Sequence, residues 1–106
     1  MGMYLSELII KSKDCLRAIG LSPGTIHDYQ CSAFSPIEKI LGNQFITSSD
    51  LITEQEGFFL NQYSNQKISR QTYNWRIRGI RVLAEVFDTG NFQWKVFSKK
   101  EQILHM

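Results

Sequence analysis

The feature that most constrains this chain is the segment 67–90, KISRQTYNWRIRGIRVLAEVFDTG. Its apolar residues recur at three- and four-residue spacing, which predicts one long helix with Ser69 as N-cap and Gly90 just past the end. Set out at about 100° per residue, Tyr73, Ile77, Ile80, Leu83, Ala84 and Phe87 gather on one side, and that side must be buried. Gln71, Asn74, Trp75 and Arg78 occupy the opposite side, with Arg70 and Arg81 at its edges. Lys67, Arg70, Arg76, Arg78 and Arg81 are all basic, and no acid stands among them. Charged helix faces are most often simply solvated. Here the single sign leaves no i,i+4 ion pairs to account for the charges. Trp75 also stands among them, where water does not favour it. A core stripe backed by Arg, Asn, Gln and an aromatic suits a groove of DNA.

At 106 residues the chain is one domain with a modest core. Apolar content of 42% and charged content of 21% are those of an ordinary soluble globular chain, neither fibrous nor disordered. The net charge of +2 says less than its distribution, because Asp50, Glu54 and Glu56 precede the basic helix and make the field one-sided. Cys15 and Cys31 have no paired spacing, so neither a disulfide framework nor a zinc site is indicated. Two reduced thiols in a cytoplasmic protein are the expectation. No apolar run approaches membrane-spanning length, and the N-terminus lacks a signal-peptide layout.

In chain order, Leu5, Leu8, Ile9, Leu16 and Ile19 give a first helix over Tyr4 to Ile19, ended by Gly20. Ser22 and Pro23 start a second, whose buried stripe is Ile26, Tyr29, Ala33, Ile37 and Leu41. His27, Asp28 and Cys31 point away from that stripe. Pro36 removes a hydrogen bond inside this helix, and Ser35–Glu38 has the pattern of a capping box, so a kink or restart is expected there. Phe45-Ile46 is a short apolar connector. A third helix runs from Asp50 to about Asn65, burying some of Leu51, Ile52, Phe58, Phe59 and Tyr63, its acidic first turn set against the helix dipole. Beyond the fourth helix, Phe92 to Val96 alternates apolar and polar as an extended segment would.

The residues that chemistry would need are missing. There is no glycine-rich phosphate loop and no Cys or His cluster with metal spacing. His27 and His105 stand alone in sequence, and no Ser, Cys or Thr has an evident base partner. The pattern argues for binding and not for an enzyme, with no cofactor and no metal.

Two segments, SPGTIHDYQCSAFSPIEKIL and KISRQTYNWRIRGIRVLAEVFDTGNFQW, resemble the core-binding, SAM-like N-terminal domain of tyrosine recombinases, the phage-integrase family. The likeness rests on Thr25, Ile26 and Tyr29, then on Ser69 and Thr72, then on Ile77, Ile80 and Arg81, within a span from about Tyr4 to Phe97. The resemblance implies an all-α fold, a four-helix orthogonal bundle over residues 1–97, with 98–106 a linker or frayed tail toward a catalytic domain that this chain lacks. It implies that the second and fourth helices face the major groove of double-stranded DNA. Carried over by position, contacts fall on Thr25, His27, Asp28 and Cys31 of the second helix and on Gln71, Thr72 and Trp75 of the fourth. Arg70, Asn74, Arg78 and Arg81 join them from the helical wheel. Asp28 departs from the family's pattern unless it accepts from a cytosine amino group, and Trp75 stands where a polar side chain is usual. The implied partners are DNA, the catalytic domain of a longer chain, and other copies in an oligomer on DNA. The family's Arg, Lys, His–x–x–Arg and tyrosine-nucleophile constellation has no match here. Two other classes fit the residues less well: a helix-turn-helix regulator, which needs a tight turn at 65–67, and a helical protein-interaction module anchored by Trp75.

Overall fold

A computed structural model gives the structure, and it describes residues 2–92. In order these form β1 (Met3–Tyr4), α1 (Leu5–Ala18), α2 (Pro23–Tyr29), a π-helical turn (Gln30–Phe34), α3 (Ser35–Leu41), β2 (Phe45–Ile46), α4 (Asp50–Thr53), α5 (Gln55–Ser64) and α6 (Arg70–Thr89). The fold is mostly helical, as the spacing of apolar residues predicts. The expected extended segment after Phe92 and the boundary at 97–98 lie outside the described residues.

Pro36 neither breaks nor caps the second helix. Tyr29, Gln30, Phe34 and Ser35 all keep right-handed helical angles, and α2 runs through the π turn into α3. Proline lacks an N–H and its ring crowds the carbonyl four residues back; a turn widened by one residue relieves both. The Ser35 N–H accordingly donates to Gln30 O, five residues back. The Ser35 hydroxyl accepts from Gln30 Nε2 at 2.8 Å, so the expected capping box does not form.

The expected third helix is two pieces, α4 and α5, meeting at Glu54. Thr53 turns its hydroxyl back to Asp50 O at 3.3 Å, a bond that competes with the regular ladder. Ile52 and Phe59 are fully buried, while Phe58 is exposed. The connector Phe45-Ile46 is a strand. It pairs antiparallel with β1, Met3 opposite Ile46 and Tyr4 opposite Phe45. This small ribbon gives its backbone groups partners and pins the start of α1, where Ser6 N–H donates to Asn43 Oδ1 at 2.9 Å.

All the helices contribute to one core: Leu5, Leu8 and Leu16 from α1, Ala33 and Phe34 from the π turn, Ile80, Leu83 and Val86 from α6. The buried side of α6 is Gly79, Ile80, Val82, Leu83 and Val86, whereas Tyr73, Ile77, Ala84 and Phe87 are half-buried. The core stripe is thus turned by about a quarter of a turn from the one drawn on apolar character. The cause is Gly79, where a Cβ would stand 2.4 Å from Ala33 Cβ. The helix turns its smallest residue, not its largest, toward its nearest neighbour.

The ends of α6 match the sequence reading. Ser69 Oγ accepts from Thr72 N–H at 3.1 Å, and Gly90 takes the left-handed conformation with its N–H on Val86 O at 2.8 Å. α5 also ends where expected, with Asn65 as its C-cap, but the way it closes is not written in the sequence. Gln66 has φ of 60°, with its N–H on Tyr63 O at 3.0 Å and the Lys67 N–H on Gln62 O at 2.9 Å. That is a Schellman closure made without the usual glycine.

Two stability outcomes follow. Gly79→Ala should destabilise the fold, because overpacking of about 1–3 kcal/mol exceeds the gain of about 1 kcal/mol in helix propensity. Adding Ala33→Gly should recover part of the loss in thermal melts, and a neutral single variant would mean that the two helices part freely. Gln66→Gly should raise stability by about 1 kcal/mol in urea unfolding by removing the left-handed cost of a side chain.

Candidate nucleic-acid interface

The candidate face is built from the starts of two helices with the same local chemistry. Ser22 Oγ accepts from Thr25 N–H at 3.2 Å and lies 3.0 Å from Thr25 Oγ1. Ser69 repeats this, its hydroxyl donating to Thr72 Oγ1 at 3.0 Å. Thr25 and Thr72 are half-buried, and their hydroxyls serve the caps. Their first role is therefore to fix where α2 and α6 begin.

On α6, Arg70, Gln71, Asn74 and Arg81 are exposed, and none has a side-chain hydrogen bond or ion pair among the described residues. They fall within about 100° of one another around the helix. On the second helix His27, Asp28 and Cys31 are exposed as expected. His27 and Cys31 form a pair one turn apart, with Nε2 3.3 Å from Sγ.

Trp75 is not the exposed aromatic that the wheel suggested. It is half-buried and packs against the core, its ring edge-on to Tyr29 with centroids 5.1 Å apart at 88°. The Arg78 guanidinium lies over the Trp75 ring at 5.6 Å. The reason is the turned core stripe, which brings Trp75 to the side where α6 meets the second helix. Tyr29, Trp75 and Arg78 thus form a stack whose inner end is core and whose outer end is charge. A cation over a tryptophan face is favoured by the ring's negative π surface.

Arg76 has a role that its place in a basic run did not reveal. Its guanidinium sits over Phe59 at 4.9 Å, and Nη1 donates to Gln62 Oε1 at 3.3 Å. Nε is buried without an acceptor. Burial holds the guanidinium pKa below its ordinary value, since the charged form has lost part of its water. Arg76 also lines an open cleft of about 510 Å³ with Cys31, Ser35, Pro36, Glu38 and Lys39. The cleft brings the second helix and α6 together at one place on the surface. Lys39 was not among the residues the sequence singled out, and Ser35 only as part of the expected capping box. His27, Cys31, Ser35 and Lys39 recur every fourth residue, but that strip is visible only if the helix runs on through Pro36.

Among the described residues no group of three or more His, Cys, Asp or Glu could hold a metal ion, and no helix is long and apolar enough to cross a membrane. No protein-family model, curated protein or solved structure matches this chain.

The stack orders the cost of removing its members. Trp75→Ala should lower stability by about 2 kcal/mol or more, since it strips an aromatic from Tyr29. Arg78→Ala should cost about 0.5–1 kcal/mol, the value of its contact with the ring. Urea unfolding of the two variants checks the order, and a costlier Arg78→Ala would reverse it.

Proposed function

We propose that this chain binds double-stranded DNA as a SAM-like, four-helix core-binding domain of a site-specific recombinase of the phage-integrase type. The observation that carries the reading is the outer face of α6. It presents two exposed arginines, a glutamine and an asparagine, none engaged by the protein among the described residues. Guanidinium groups pair with phosphates, and side-chain amides match the edge of adenine. The second helix lies against α6 through Tyr29 and Trp75, as the family resemblance requires of two helices that share a groove. On this reading the domain grips one side of the duplex, and a catalytic domain in a longer chain closes the other. His27, Asp28 and Cys31 then lie at the rim, and Arg78 meets DNA from its seat on Trp75.

The helix-turn-helix alternative is less well supported. Five residues, 65–69, separate α5 from α6, more than its tight turn allows. The protein-interaction alternative loses Trp75 as its anchor but keeps one observation, the exposed Phe58 and Leu60 of α5, at 44% and 49%.

With about four phosphates neutralised, affinity for a duplex should fall with salt at a log–log slope near −3.6. Arg70→Ala and Arg81→Ala should each flatten the slope by about 1 unit and leave the melting temperature unchanged. Affinity that ignores salt, or no binding at low salt, favours the Phe58–Leu60 surface instead.

A further inference from the structure

We infer that the cleft between α3 and α6 binds a phosphoryl oxyanion, held by Arg76, Lys39 and the Ser35 hydroxyl. The groups are complementary to such a ligand. Ser35 Oγ accepts from Gln30, which leaves its own proton to donate. Lys39 is exposed and has no hydrogen bond or ion pair among the described residues. Arg76 is half-buried over Phe59, and among the described residues its guanidinium donates to the neutral amide of Gln62 while its Nε–H is left without an acceptor. A guanidinium so placed has lost part of its water and has no carboxylate at ion-pair distance among the described residues, and an anion at its open side offsets that loss.

Glu38 lines the same cleft, yet it forms no ion pair with Arg76 or Lys39. Among the described residues both cations are thus without an ion pair, with one carboxylate beside them. That arrangement holds a tetrahedral oxyanion with donors from three side chains and limits its affinity by repulsion from the fourth. In taking the phosphoryl group from a DNA backbone the inference rests on the reading above; as an anion site it does not.

The test is a side-chain and backbone NMR titration of the ¹⁵N-labelled protein, once with a 20-base-pair duplex and once with inorganic phosphate. The Arg76 Nε–H, buried and without an acceptor among the described residues, serves as the reporter. The expected result is movement of Arg76 and Lys39 signals together with those of Gln71 and Asn74 on adding the duplex. Movement of Arg76 and Lys39 with phosphate alone, the duplex moving nothing, supports the cleft as an anion site and removes the DNA reading. Movement of Gln71 and Asn74 with duplex while Arg76 stays still in both titrations overturns the cleft and leaves the DNA reading standing. Silence in both titrations overturns both. Arg76→Gln also strips the contact with Phe59, so two exposed or half-exposed variants supply the charge test. Lys39→Gln should weaken binding of the active probe about tenfold and Glu38→Gln should tighten it severalfold. Equal effects of the two overturn an electrostatic role for the cleft.

Discussion

Where α6 crosses the π turn there is room for a hydrogen atom and nothing larger, because a Cβ at Gly79 would fall 2.4 Å from Ala33 Cβ. This close approach fixes the rotation of α6 about its own axis. With Gly79 inward, Ile80 and Leu83 enter the core on one side and Val82 and Val86 on the other. Trp75, one turn earlier, is brought against Tyr29. Arg70, Gln71, Asn74 and Arg81 are left outward. The chemistry of the surface is in this sense a consequence of a steric condition in the core.

The π turn is the other half of that crossing. A proline within a helix asks for a local rearrangement, and an inserted residue is the one that keeps the helix continuous. It also places Ala33 and Phe34 both in the core and sets Ser35 beside Pro36 at the mouth of the cleft. π turns are often found where a site is built. Here the turn joins the residue at the tightest packing to the residues lining a charged cleft.

Arg76 and Arg78 differ by two positions and do different work. Arg78 extends the Tyr29–Trp75 stack outward. Arg76 faces Phe59 and Gln62 of α5 and lies partly out of water. A second aromatic pair, Tyr63 on Tyr73 with centroids 5.1 Å apart, joins the same two helices nearer their connection. The basic run is therefore divided: part of it holds α6 to α5, part is set on the aromatic stack, and part faces solvent.

The sequence by itself determined that the chain is mostly helical and where α2 and α6 begin and α1 and α6 end. Ser22, Ser69, Gly20 and Gly90 act through bonds within a few residues, so their roles are readable without knowing the fold. It also determined that Ile26, Tyr29, Ala33, Ile37, Ile80 and Leu83 are core, since apolar periodicity is a local signal. Only the tertiary structure decided which way α6 is turned, because that depends on Gly79 meeting a residue 46 positions away in sequence. The same holds for the pairing of Met3–Tyr4 with Phe45–Ile46 and for the placing of Arg76 over Phe59. A helical wheel ranks side chains by their affinity for water, whereas a crossing between helices is ruled by how near two backbones can come. At Trp75 the two criteria disagree, and packing prevails.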